Sequence, residues 1–240
     1  MSQEKLFNDI PPAVVLLTVM ILGVEGILAL GANGIVGGQE AVGWRSEMIE
    51  QFSWVPVLID EFFRLGGLPA EYWLRLVTYP FVHAGFISAA FAGAMTLALG
   101  KFVGDEWSWW AILIVFFGAG ICSALAYGVI APNRFYPFYG AFPALYGLIG
   151  AFTYMLWMRL DRLGANRWRA FSLIGFLLAI QVVFGLFAKA MALLGLGADS
   201  SATMLYTGLS ELAGFAFGLG VSPLVAPGGW SAFVARMRQR

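Results

Sequence analysis

The 240 residues are 60% hydrophobic and only 12% charged, with a mean hydropathy of +0.80, where a soluble domain carries about 25% charged residues; the chain reads as an integral membrane protein. Lys+Arg and Asp+Glu both number 14, leaving no basic surplus of the kind that marks nucleic-acid binding. The single cysteine, Cys122, excludes an intrachain disulfide and reads as a packing residue, and one histidine with thinly spread carboxylates excludes the usual zinc and haem donor sets, so neither metal nor cofactor is expected.

Short segments of alternating hydrophobicity are absent, which favours membrane helices over a barrel, the only other solution that satisfies every backbone group in lipid. Residues 1–11 set Glu4 and Asp9 against Lys5 and lack the basic flank of a secretory signal, so the first apolar run is expected to be retained. That run extends from Pro12, after Pro11, to Gly34, where a Gly-rich stretch ends it. Residues 38–75 then mix charges (Glu40, Arg45, Asp60, Arg64) with bulky apolar residues (Trp44, Phe52, Trp54, Trp73). So long a loop predicts short amphipathic helices lying in the interface as a cap.

Four further spans follow at Leu76–Gly100, Trp107–Ile130, Phe138–Leu160 and Ala170–Leu196, and a sixth at Met204–Val225. The domain is expected to be single, over 12–226, with a cytoplasmic segment 1–11 before it and a basic cytoplasmic tail, 227–240, after it. Nine cations (Lys5, Lys101, Arg159, Arg162, Arg167, Arg169, Arg236, Arg238, Arg240) fall on one side and four (Arg45, Arg64, Arg75, Arg134) on the other. Both termini are therefore expected to be cytoplasmic. Lys189 near the outer end of the fifth span can snorkel, and Trp107, Trp109 and Trp110 are expected to anchor the third span at its inner end. Gly31, Gly34 and Gly37 have the wrong spacing for a dinucleotide fingerprint.

Three patches lie in register with this layout. They are Trp73-Leu-Arg75-Leu-Val-Thr78-Tyr-Pro-Phe81-Val-His83, Gly140-Ala-Phe142-Pro143-Ala-Leu-Tyr146-Gly147, and Glu211-Leu-Ala-Gly214-Phe-Ala-Phe-Gly218. Their order and spacing resemble the second-, fourth- and sixth-span motifs of the rhomboid family. The resemblance implies an all-α integral membrane protein, a six-transmembrane-helix rhomboid-like bundle with a long interfacial first loop.

The resemblance also marks where chemistry is expected to be missing. The family's nucleophilic serine falls at Phe142, its basic histidine at Glu211, and its oxyanion-stabilising His and Asn at Ser88 and Ala92. Acyl transfer needs a nucleophile, a base within hydrogen-bond reach and donors aimed at the oxyanion. A phenyl ring supplies none of them, and Pro143 lacks the N–H that the family's glycine offers. No catalytic residue is expected.

Glu211 sits in a span, where an acid costs about 2.5 to 3.5 kcal/mol on insertion scales and faces protein rather than lipid; a contact with Tyr146 is expected. It is read as a hydrogen-bonded tie between the fourth and sixth helices, as a binding or proton-relay acid, or as a base. Glu25 in the first span has two readings, a partner outside the chain or a reach to water at the outer interface. His83 is either a satisfied core histidine or a titrating contact to the cap. Phe176, Phe184 and Phe187 of the fifth span are either lipid-facing bulk or, since the resemblance implies a lateral gate between the second and fifth helices, a grip on a partner helix. Gly214 and Gly218 with Gly147, Gly150 and Ala151 are expected to pack the bundle rather than make a dimer.

The resulting expectation is an inactive relative that binds transmembrane helices of partner proteins, in contact with membrane lipids, with a bacterial inner membrane as the fitting location. The rivals are a fixed subunit of a larger membrane complex such as a respiratory or photosynthetic one, an intramembrane acid protease using Glu211 with Glu25 or His83, and a transporter, against which stands the lack of an inverted repeat.

Overall fold

The computed structural model describes residues 10–196 and 200–229. Lys5, Arg236, Arg238 and Arg240, on which much of the charge asymmetry rests, lie outside the described residues, as do nearly all of both expected terminal segments.

Every regular element among the described residues is helical. Helix α1 (Pro12–Ala32) starts at a proline, whose fixed φ suits the first turn and whose missing N–H has no helical partner there anyway. A short 3₁₀ turn (Gly38–Gly43) and three nine-residue helices, α2 (Trp44–Phe52), α3 (Val57–Leu65) and α4 (Ala70–Thr78), form the cap. The remaining helices are α5 (Phe86–Gly104), α6 (Trp109–Ile130), α7 (Phe142–Arg162), α8 (Ser172–Leu193) and α9 (Ser201–Val225). Helices α1, α5, α6, α8 and α9 are long and apolar enough to cross a bilayer. Helix α7 is also 21 residues long, and its hydropathy is lowered by Arg159, Asp161 and Arg162 at its end. It is the hub of the bundle, buried continuously from Pro143 to Ala151 and packed on α5, α6 and α9, so it least needs a lipid-compatible surface. With it the bundle has six membrane-length helices.

The second span is displaced from its expected position. The apolar run from Leu76 is broken by the 3₁₀ turn Tyr79–Phe81 and by extended backbone after it, so the span begins at Phe86 and Leu76 belongs to α4. Pro80 explains the break, because a proline inside a helix removes a hydrogen bond and clashes with the preceding turn. Arg75 ties α4 to the cap through the carbonyls of Glu50 and Ser53, at 3.1 and 3.2 Å. Phe138 likewise precedes its span. It exchanges backbone hydrogen bonds with Trp54 (3.0 and 2.7 Å) and stacks on Tyr127 at 4.4 Å between ring centroids. The Trp anchor is also smaller than expected: Trp107 is buried beside Tyr154, and Trp109 and Trp110 face outward.

The cap is fixed at both ends. Arg134, in the loop between α6 and α7, holds Asp60 of α3 with two hydrogen bonds of 2.7 Å and reaches the carbonyls of Gly128 and Pro56. Tyr79 donates to the Gly120 carbonyl of α6 at 2.8 Å. Helices α7 and α9 cross at backbone contact: a Cβ added at Gly218 stands 2.0 Å from the Gly147 carbonyl oxygen, and one at Gly150 stands 2.4 Å from that of Phe215. These glycines pack the bundle itself.

Candidate functional site at the head of the fourth span

Helix α7 begins at a backbone turn that few side chains tolerate. Gly140 has φ +101°, the left-handed region that glycine enters without strain. The next amide, of Ala141, donates to Nε2 of His83 at 3.2 Å. That bond makes Nε2 the acceptor and so assigns the imidazole proton to Nδ1. His83 is fully buried, and burial lowers its pKa, so the ring is held neutral. It is a core histidine bonded through Nε2, with no hydrogen bond of good geometry at Nδ1 among the described residues, and it meets the cap through its backbone: its carbonyl accepts from Arg45 at 2.8 Å.

Arg45 also settles Glu25. The carboxylate is 1% exposed, and both its oxygens accept from the Arg45 guanidinium, at 2.8 and 2.7 Å. Neither a partner outside the chain nor water at the interface is its main neighbour; the partner is the cap. The length and charge of Arg45 were visible in the sequence, but its pairing across 20 positions carried no periodic signal.

Phe142, at the nucleophile position, is half-buried with its ring 6.0 Å from that of Phe91 on α5. Pro143 follows, buried in the first turn. Ser88 is half-buried on α5, and Ala92 is fully buried there, its carbonyl accepting from Thr96 at 2.8 Å. One turn into α7, Tyr146 lies close enough to Glu211 of α9 for the two to interact electrostatically. The two residues are brought together, and a third bonds to both. Gln181 of α8 donates to the Tyr146 hydroxyl at 2.9 Å and to the Glu211 carboxylate. Gln181 was missed because a lone amide makes no pattern, although it is the one amide in α8, whose other polar side chains are Ser172 and Lys189.

The resulting Tyr146–Gln181–Glu211 node ties three helices together, with Gln181 donating to both of the others. The geometry offers hydrogen bonding and orientation. It places a phenyl ring at 142, and it gives Glu25 to Arg45 and His83 to Ala141, so the groups proposed as partners of an acid protease have other partners.

Helix α8 is otherwise loosely held, with Ile174 its buried residue. A cavity of about 680 Å³ separates it from α9, lined on the α8 side by Gln181, Gly185 and Lys189 among others. At 100° per residue Phe176, Phe184 and Phe187 fall on the other face of α8, exposed by 63%, 59% and 61%. They face away from the α9 cavity and are not brought to the polar node.

The rhomboid-domain family model matches residues 70–227. No curated protein and no solved structure matches the chain. The matched stretch carries α4 through α9, the buried turn into α7 and the glycine crossing of α7 with α9; this multi-pass membrane protein belongs to the rhomboid family.

Proposed function

We propose that this chain is a rhomboid-fold protein without peptidase chemistry, which holds transmembrane helices of other membrane proteins for their assembly, stabilisation or quality control. The observation that carries this reading is the occupation of the former dyad. Position 142 is a phenyl ring, and the carboxylate at 211 accepts from Gln181, which also bonds Tyr146. A general base without a nucleophile beside it has no acyl transfer to perform.

What supports binding is the state of α8. Its aromatic face is open, and it packs chiefly on α9 while α5 packs chiefly on α1 and α7. In lipid, helix association rests on packing and hydrogen bonds rather than on hydrophobic exclusion, and an uncovered row of rings offers area for such packing. The basic loop Arg159 to Arg169 favours a cytoplasmic face there, in a bacterial inner membrane with both termini inside.

Purification of the tagged protein from its native membrane in mild detergent, with mass spectrometry and a count of partner per chain, tests the reading. A recurring set of membrane proteins, crosslinking through residues placed at Phe184 or Phe187, is the expected result. A single partner at fixed one-to-one stoichiometry through gel filtration favours a permanent complex subunit instead. Empty purifications and no crosslinks overturn the binding reading.

A further inference from the structure

Where α5 and α7 end, on the same side of the bundle, their last turns diverge around a cavity of about 590 Å³. Its apolar part is built by Phe102 and Phe152, whose rings lie 5.7 Å apart, with Met155 and Leu156 beyond them. Its charged part has two walls of opposite sign: Arg159 and Arg162 from α7, and Asp105 and Glu106 from the end of α5. From Phe152 to Arg159 the helix rises about 10 Å, so the lining turns from apolar to charged over the distance between acyl chains and headgroups.

The neighbouring charges narrow the choice of ligand. Lys101 pairs with Asp105 at 3.0 Å, and Asp161 pairs with Arg167 at 3.2 Å. Arg159, Arg162 and Glu106 make no ion pair among the described residues. An anionic headgroup suits the arginines but is set against Asp105 and Glu106. A zwitterion satisfies both walls, its phosphate on the planar guanidinium donors and its cation on the carboxylates. A primary ammonium brings three N–H donors to those carboxylates, whereas a quaternary ammonium brings none.

We propose that this groove is a binding site for one aminophospholipid, a zwitterionic lipid with a primary amine. Its phosphate sits against Arg159 and Arg162, its amine against Glu106 and Asp105, and an acyl chain along Phe102, Phe152 and Met155. The site lies apart from the polar node and from the α8 face, and it stands whether or not the chain binds partner helices.

The test is native mass spectrometry of the full chain, titrated with phosphatidylethanolamine, phosphatidylcholine and phosphatidylglycerol of identical acyl chains. A discrete one-to-one phosphatidylethanolamine adduct is expected, favoured over both others by roughly tenfold, the worth of one charge-assisted contact. Arg159→Gln/Arg162→Gln should weaken all three lipids. Glu106→Gln, which leaves both arginines in place, should erase the preference for ethanolamine over choline and raise binding of the glycerol lipid. Gel filtration and the thermal midpoint check that each variant is folded, and Glu106→Gln alone suffices if the arginine pair fails to fold. Equal binding of the three lipids, a preference for phosphatidylglycerol, or a preference untouched by Glu106→Gln would overturn the proposal.

Discussion

Arg45 is the residue whose loss should be felt most widely, because it neutralises Glu25 inside the protein and holds the His83 carbonyl at the same time. Removing one member of a buried ion pair leaves the other charge uncompensated, at about 3–5 kcal/mol. Arg45→Met should therefore lower the thermal midpoint in detergent sharply, and Glu25→Leu added to it should restore a good part of the loss. A double variant no better than the single one would show that the ion pair is not the cause. His83 adds a pH dependence. Burial lowers its pKa in the folded protein, while the unfolded chain takes up that proton near the ordinary value of about 6.5. Below that pH the unfolded state binds more protons, so stability falls as pH drops through the ordinary value and levels off below the folded one. The His83 contribution is read as a difference: between about pH 7.5 and pH 5.5 the midpoint of the native chain should fall relative to that of His83→Gln.

At the scale of the helices, the crossing of α7 with α9 admits no side chain. A methyl at Gly218 meets the rigid Gly147 carbonyl at 2.0 Å, whereas one at Gly185 of α8 meets nothing within 4 Å. Gly218→Ala should cost about 1–3 kcal/mol or more by overpacking, and Gly185→Ala should be neutral or mildly stabilising through helix propensity. Thermal unfolding of the two variants side by side checks this; equal midpoints would mean that the bundle is looser than its backbone contacts imply. The same comparison marks what was legible in the sequence. Small residues at four-residue spacing announced this crossing, and long apolar runs announced the spans. The start of α5 was not legible, since Tyr79, Pro80, Phe81 and Val82 are buried by the cap and α6 rather than by lipid, and hydropathy is blind to which solvent an apolar residue avoids. Gln181 and Arg45 escaped for a related reason: each acts through one partner far along the chain.

For the molecule as a whole, the fold and the chemistry separate. The turn into α7 is built, with Gly140 left-handed and Ala141 pinned by His83, while on the proposed reading the positions of the acyl-transfer groups on α5, α7 and α9 carry Ser88 and Ala92, Phe142 and Pro143, and Glu211. Restoring the dyad alone, as Phe142→Ser/Glu211→His, should therefore not restore cleavage. The amide donor at position 143 is absent because the residue is proline, and positions 88 and 92 on α5 carry a serine and a buried alanine. Each missing oxyanion donor costs about 10²–10³ in rate. The introduced histidine also meets Tyr146 and Gln181, which are set to hydrogen-bond a carboxylate. Co-expression of the double variant with a tagged reporter transmembrane helix, followed by electrophoresis, should give only the intact reporter. A product band that depends on the introduced serine would mean that the scaffold still stabilises an oxyanion by donors other than those at 88, 92 and 143.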